Sequence, residues 1–422
     1  MKRKEILNTF RAFKNRNYRL YFAGQSMSLI GTWMQKTAVS WVVYSITHSA
    51  FMLGVSIFAA QFPSFIFSLI GGITADRYNR YKLLLATQIL SMIQAVLLAV
   101  LVLTNHYTVW EILTLSAMLG IINAFDVPAR QPLVHEMVND KSDLPNAIAL
   151  NSSMVNLARF IGPALSGLVL GKFGAGVCFA INALSFMAVI TSLLLMKLPA
   201  YIQPQVKKKM LQEFTEGFAY VKNTPLIGIS LLMLTLVSLL VLPFDTLLPI
   251  FAKVVFKGDA ATFGYIFSFI GLGSVGGTFF LASLKPGANL KMVLLGSTVV
   301  LGVGLGLFSQ VAYFPLAMVF ATLAGFGRMA QNTVLLTIVQ VESDAKMRGR
   351  VMGFLAMAMF GMLPLGSLLI GAVSQQIGAP KALLCQGIMA LIIAAAFFKF
   401  LAKNKLSEEE KAQMPEEESI AI

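Results

Sequence analysis

Stretches of twenty-odd residues almost free of charge recur along this chain, separated by short loops, and that recurrence decides most of what it can fold into. A hydrocarbon core about 30 Å thick needs about 20 apolar residues per crossing helix, with every backbone polar group satisfied inside the segment. The pattern predicts twelve spans, at 19–46, 51–74, 83–104, 109–134, 147–171, 174–196, 225–252, 262–284, 290–310, 313–338, 350–375 and 381–402. Only 12% of the 422 residues are charged, about half the load of an average soluble domain. The expectation is an all-α integral membrane protein whose main partner is the lipid bilayer. The first span is too long for a signal-peptide apolar region and has no small-residue cleavage site behind it, so it is expected to be retained.

The charge of +14 is distributed unevenly. Lys2, Arg3, Lys4, Arg11, Lys14, Arg16 and Arg19 precede the first span, and further basic residues fall in every second loop. The opposite loops hold only Lys172, Lys253, Lys257 and Lys381. This asymmetry predicts both termini and the charged loops on the cytoplasmic side of a bacterial inner membrane, and it explains the basic balance without nucleic acid. Cys178 and Cys385 lie inside spans, and His48, His106 and His135 are scattered near span ends. No metal and no cofactor are expected from that set. An enzyme should show a histidine with a carboxylate partner near one face, and only His135-Glu136 are adjacent.

The chain divides into a basic segment 1–18, six spans over 19–196, a linker 197–224, six spans over 225–402 and an acidic tail 403–422. The tail is expected to be disordered. In the linker, Leu211, Phe214, Phe218 and Val221 recur at helical spacing, which predicts an amphipathic helix with Phe214 and Phe218 dipping into the membrane surface. The halves echo each other: GIINAFDVPARQPLVHEMV leads into ARFIGPALSGLVLGKFG, and GFGRMAQNTVLLTIVQVE leads into AMFGMLPLGSLLIGAVSQQIG. Parallel six-helix repeats with substrate bound between them are one architecture of secondary transporters.

Residues 71–82, GGITADRYNRYK, pack Asp76, Arg77, Arg80 and Lys82 between two apolar spans. With Gly72, this loop resembles the signature loop of the major facilitator superfamily, with Asn79 where that family usually has glycine. Gly72 is expected to let the second span pack closely, and Asn79 to serve the turn through its tolerance of left-handed backbone. The resemblance implies a cytoplasmic latch. In it Arg80 pairs with Asp126 of the fourth span, while Asp76 faces Arg348 and Arg350 at the start of the eleventh. The alternative is that Asp126 pairs with Arg130 one turn later. Gly162, Pro163 and Gly167 of the fifth span, followed by Gly171, resemble the GPxxG motif of the superfamily's exporters. Gly167 and Gly171 offer a small-residue face for packing. Several blocks together, from FKNRNYRLYFAGQ to MRGRVMGFLAMAMFG, are similar to the enterobactin-exporter and macrolide-efflux branch over residues 10–400.

Charges inside a membrane are costly and mark functional sites by default. Lys36, Arg159, Asp245 and Arg328 stand inside the first, fifth, seventh and tenth spans. The resemblance places the first, fourth, seventh and tenth spans around a cavity, with Gln61, Asn123 and Asn332, and also Gln25, Gln35 and Gln331, as polar lining candidates. Three cations against one acid suit an anionic or zwitterionic cargo such as a catecholate siderophore. The alternative reading pairs Lys36 with Asp245 as structural glue. No GxxxxGK[ST] motif is present, which leaves an ion gradient as the drive, with Asp245 first and Asp126 second as proton carriers. The reading is a monomeric, proton-coupled exporter of small molecules, drug-like or siderophore-like, working by alternating access. The alternative on the same fold is a transporter of lysophospholipids or other amphipathic lipids.

Overall fold

Helix starts along the chain are set by capping side chains at the loops. Ser49, Asn79 and Asn289 each accept a hydrogen bond from the backbone N–H three residues on, at 3.3, 3.1 and 3.2 Å. Thr108 with Glu111, and Asp259 with Thr262, form reciprocal capping boxes, satisfying donors that a helix start leaves free. Asn79 therefore serves the signature loop as a cap, with φ of −62°, and not through the left-handed backbone expected of it. Gly174 and Gly378 do adopt positive φ, +80° and +86°. Each forms a one-residue turn between consecutive helices, at equivalent places in the two halves, and only glycine takes that backbone freely.

The computed structural model describes residues 10–138, 140–197, 210–285 and 287–413. The first half comprises α1 (Arg16–Thr47), α2 (Ala50–Arg77), α3 (Arg80–Leu103), α4 (Val109–Glu136), α5 (Leu144–Phe173) and α6 (Ala175–Leu194). A connecting helix α7 (Met210–Asn223) follows. The second half comprises α8 (Pro225–Leu240), α9 (Ala260–Ala282), α10 (Leu290–Gln310), α11 (Phe314–Glu342), α12 (Arg348–Ile377) and α13 (Ala379–Gln413). The last helix thus runs through 403–413, where a disordered tail was expected. The remaining tail and linker residues 198–209, like residues 1–9, lie outside the described residues.

Ten helices among the described residues are long and apolar enough to cross a membrane. Of the twelve long helices, α1 and α11 fall short of that apolarity, and they are the ones that carry Lys36 and Arg328. The seventh crossing, Pro225–Val255, is discontinuous. Its α-helix stops at Leu240, a 3-10 segment Leu242–Leu247 follows, and after Leu248–Ile250 a π-turn covers Phe251–Val255. Pro243 and Pro249 have no N–H to continue an α ladder, which accounts for the break.

Packing within the halves is equivalent: α2 lies on α4 as α9 lies on α11. Gly120 brings α4 onto the Ala60 carbonyl, and Gly325 brings α11 onto that of Ile270. Between halves, α2 packs on α12 and α5 on α9. A Cβ on Gly54 would lie 2.4 Å from the Ser367 oxygen, and one on Gly167 would lie 2.6 Å from the Gly264 Cα. Gln375 on α12 accepts from Ser49 Oγ at 3.0 Å and from the Ala50 N–H at 2.9 Å, capping α2 from the other half. Lys253 lies 6.0 Å from the Trp41 ring and 5.9 Å from that of Tyr44. These contacts sit at the end with few charged loops. Close approaches between halves continue inward to Phe65–Gly361 and Phe160–Gly271 at mid-helix.

Candidate functional site

Near the level where those approaches stop, four charged side chains come together from both halves. Lys36 lies one turn beyond Trp33 on α1, with its Nζ 4.7 Å from the Trp33 ring centroid. Arg159 of α5 places its guanidinium carbon 5.3 Å from the same ring. Gly162 allows this, since a Cβ there would sit 2.4 Å from Trp33 Cβ. Both cations keep exposed surface although protein surrounds them, as expected of a cavity wall. Arg159 is within electrostatic range of Lys36 on its own half and of Arg328 and Asp245 on the other. Among the described residues, no carboxylate lies within 4 Å of Lys36 or Arg159.

The second half contributes an ion pair: Arg328 Nη1 donates to Asp245 Oδ2 at 2.7 Å, and Arg328 lies 5.4 Å from the Phe244 ring. Asp245 belongs to the 3-10 segment of the broken crossing, and its Oδ1 is buried without a hydrogen-bond partner. The pairing of Lys36 with Asp245 is not formed, because Arg328 holds that carboxylate. Gln61, Asn123 and Asn332 are half-buried, and their side chains make no hydrogen bond among the described residues. Gln25 and Gln331 are 2% and 0% exposed. Gln35 is bonded between Gln94 (3.0 Å) and Asn182 (2.7 Å), tying α1 to α3 and α6. These three are interior groups and not cavity lining.

At the charged-loop end the expected partners are rearranged. Arg80 pairs with Asp76 at 3.4 Å and with Glu136 at 3.5 Å, not with Asp126. Asp126 is 1% exposed and binds Arg130, Thr87 Oγ1 (2.9 Å) and Gln88 Nε2 (2.6 Å). Depth explains the difference: Asp126 lies ten residues before Glu136, about 15 Å further into α4 at 1.5 Å per residue, whereas Arg80 heads α3 at loop level. Arg77 is exposed. Arg348 donates to the Ser343 carbonyl at 3.2 Å, and Arg350 pairs with Glu216 of α7 at 2.7 Å. None of the ion pairs described at this end joins the first half to the second. On α7, Phe214 and Phe218 lie 5.1 and 6.3 Å from the Phe354 ring of α12 in tilted arrangements, and both side chains remain exposed.

The glycines also divide differently from the expectation. A Cβ on Gly72 would meet nothing within 4 Å, while one on Gly71 would lie 1.9 Å from the Ala124 oxygen. Gly71, one residue earlier, is therefore the position at which α2 rests on α4. In the fifth crossing, Gly162 faces Trp33 within its own half and Gly167 faces Gly264 across the halves. Pro163 is buried, with its carbonyl against Gly264, and Gly171 makes only ordinary contact with Ala261. Sequence reasoning missed Trp33 and Glu136. The signals were present, in the three-residue spacing from Trp33 to Lys36 and in the place of Glu136 at the last turn of its helix.

The sequence profile of the transmembrane secretion effector family matches residues 7–421. The chain belongs to that family, within the major facilitator superfamily. The chain is 25% identical over 400 residues to the staphyloferrin A transporter of Staphylococcus aureus (strain NCTC 8325 / PS 47), covering 92% of this chain and 98% of that one. It is 25% identical to the enterobactin exporter EntS of Escherichia coli (strain SMS-3-5 / SECEC), covering 95% and 96%. In fold it is similar to a POT family transporter solved with 5-aminolevulinic acid, with a TM-score of 0.73 at 11% identity and 92% and 96% coverage. A bacterial homolog of the human lysosomal transporter Spinster, inward-facing and unoccupied, gives a TM-score of 0.69 at 16% identity, with 92% and 98% coverage. The protein is thus a multi-pass membrane transporter of small molecules and not an enzyme.

Proposed function

We propose that this transporter exports small anionic molecules, siderophore-like or drug-like, across a bacterial inner membrane by alternating access coupled to protons. One observation carries the reading: Lys36 and Arg159 stand together in the wall without a carboxylate, facing the Arg328–Asp245 pair of the other half. Uncompensated cations inside a membrane are costly, and an anionic cargo supplies what they lack. The similarity to siderophore transporters supports the same class. With the charged loops placed in the cytoplasm by the positive-inside asymmetry, joined halves at the opposite end correspond to an inward-facing state. Asp76, Arg80 and Glu136 would then form the cytoplasmic latch with Arg348 and Arg350 in the outward-facing state, while Asp126 and Arg130 brace α4 within its half.

Asp245 is the proton site in this reading, because it is the acid at the junction and has one oxygen without a partner. A proton on Asp245 frees Arg328 and so favours an anion, which means exchange cannot arise from competition at this carboxylate. Coupling comes instead from which end is open when Asp245 is charged. The test is anion uptake into everted vesicles from a panel of catecholates and carboxylates, with and without an imposed pH gradient. Asp245→Asn should bind cargo yet lose the response to the gradient; a response equal to that of the unaltered protein removes Asp245 from the mechanism.

A second reading, transport of an amphipathic lipid, draws on one feature. A cleft of about 930 Å³ between α9 and α11 is lined by apolar side chains, among them Phe269, Phe279, Phe314, Met318 and Phe326. Transport of a fluorescent lysophospholipid in the same vesicles, with no anion uptake, would replace the first reading.

A further inference from the structure

Trp33 carries no charge, yet Lys36 and Arg159, which pair with no carboxylate among the described residues, are both organised on it. Lys36 Nζ and Arg159 Cζ lie 4.7 and 5.3 Å from its ring centroid, inside the range of about 6 Å over which a cation is drawn to an aromatic face. The two cations repel each other, and salt bridges would normally offset that repulsion. Here the acid of the cavity is held by Arg328. The indole supplies attraction without supplying negative charge. It therefore holds two adjacent cations in place and leaves both positive charges for something else.

The backbone has been shaped to allow this. Arg159 reaches the ring because α5 runs hard against α1, and it does so at Gly162, where a side chain would collide with Trp33 Cβ and the Ile30 carbonyl. The first glycine of the fifth-crossing motif thus acts on the cavity wall, whereas Gly167, five residues on, joins the halves.

We propose that Trp33, Lys36 and Arg159 form an anion subsite for a group carrying two negative charges, or two carboxylates held close together, with Trp33 as its positioning residue. This rests on the reading of the central cavity as the cargo site. A planar carboxylate suits the guanidinium fork of Arg159 as a two-point contact, and the ammonium of Lys36 takes the second charge as a point partner. A single negative charge leaves one cation uncompensated and binds more weakly.

The test uses the purified full-length protein in detergent, with probes that do not require knowing the cargo. Trp33, Trp41 and Trp110 are the three tryptophans, so Trp41→Phe with Trp110→Phe leaves Trp33 as the sole tryptophan emitter, and Trp33→Phe with Trp41→Phe leaves the exposed Trp110 as reference. Iodide, an anion, and acrylamide, a neutral quencher, are compared in both. The iodide-to-acrylamide quenching ratio is expected to be at least about threefold higher for Trp33 than for Trp110, since the local positive potential concentrates anions. Lys36→Gln with Arg159→Gln should bring the ratio to the reference value while acrylamide quenching stays unchanged, which also reports that the fold is kept. Lys36→Arg should preserve the ratio. Malonate should protect Trp33 from iodide at about tenfold lower concentration than acetate at matched ionic strength. Equal ratios for the two tryptophans overturn the subsite, and equal protection by acetate overturns the two-charge class. Quenching as expected in a protein that exports no anion keeps the subsite and removes the export reading; anion export without iodide preference does the reverse.

Discussion

The two ends of the molecule hold its halves by different physics. At the end with few charges, the halves meet through short-range contacts: Gly54 on the Ser367 carbonyl, Gly167 on Gly264, and Gln375 capping the start of α2. At the charged end, Arg80 pairs with Asp76 and Glu136 inside the first half and Arg350 pairs with Glu216 of the connecting helix, so these ion pairs do not join the halves. Close packing and capping hydrogen bonds are lost within about an ångström of separation. Ion pairs at a wet surface contribute little each, about 0–1 kcal/mol, and can change partners without a large penalty. One end is therefore suited to closing as a fitted surface and the other to exchanging partners, which is the asymmetry that a transporter with one end closed requires.

Several substitutions would break or sharpen this contrast, beginning with the largest effect. A Cβ on Gly171 would stand 3.6 Å from the Ala261 Cβ, inside the usual disulfide range of about 3.5–4.5 Å. Gly171→Cys with Ala261→Cys, on a background with Cys178 and Cys385 replaced by serine, should cross-link the fitted end on oxidation. Transport should fall at least about twentyfold and return with reductant, if that end must open in each cycle. Unimpaired transport by the oxidised protein would mean the fitted end never opens. At the charged end, Asp76→Asn or Arg80→Ala should leave the melting temperature within a few degrees, as surface pairs contribute little. If the proposed latch holds the outward-facing state, efflux should nevertheless drop about tenfold; normal vesicle efflux would reduce the loop to a solvated turn.

A smaller effect separates two neighbouring glycines. Gly71→Ala should destabilise by about 1–3 kcal/mol through overpacking against the Ala124 carbonyl, and Gly72→Ala should be close to neutral, both read by thermal unfolding in detergent. Smaller still is Asp259→Ala at the start of α9, with an expected loss of about 1 kcal/mol for a helix cap. The Thr262 N–H holds the Asp259 carboxyl below its ordinary range. Its contribution is therefore full above the unfolded carboxyl value of about 3.9 and fades as pH falls through the lower folded value. The difference between this variant and the unaltered protein should shrink correspondingly in acid.

The spans, the charge asymmetry and the two-fold echo were legible because each is a property of a local stretch. Hydropathy, basic residues and a repeated Gly-ended helix are read segment by segment. The four charges inside the spans were legible for the same reason, since a charge inside an apolar run stands out by composition. Their pairing was not. Asp245 chose Arg328 over Lys36, and Arg80 chose Glu136 over Asp126, because pairing depends on depth along the helix and on which helix lies opposite. Gly71 displaced Gly72 for a simple geometric reason: one residue turns a helix face by about 100°, and only the packed neighbour shows which face is covered.

By itself, the sequence determined a twelve-helix membrane transporter in two related halves, because a bilayer leaves a polar backbone few alternatives and punishes misplaced charge. Tertiary structure alone decided which cations stay free, which glycines join the halves and that Trp33 carries two charges. Those outcomes depend on contacts between residues far apart in the sequence, and on differences of a few ångströms that no local pattern encodes.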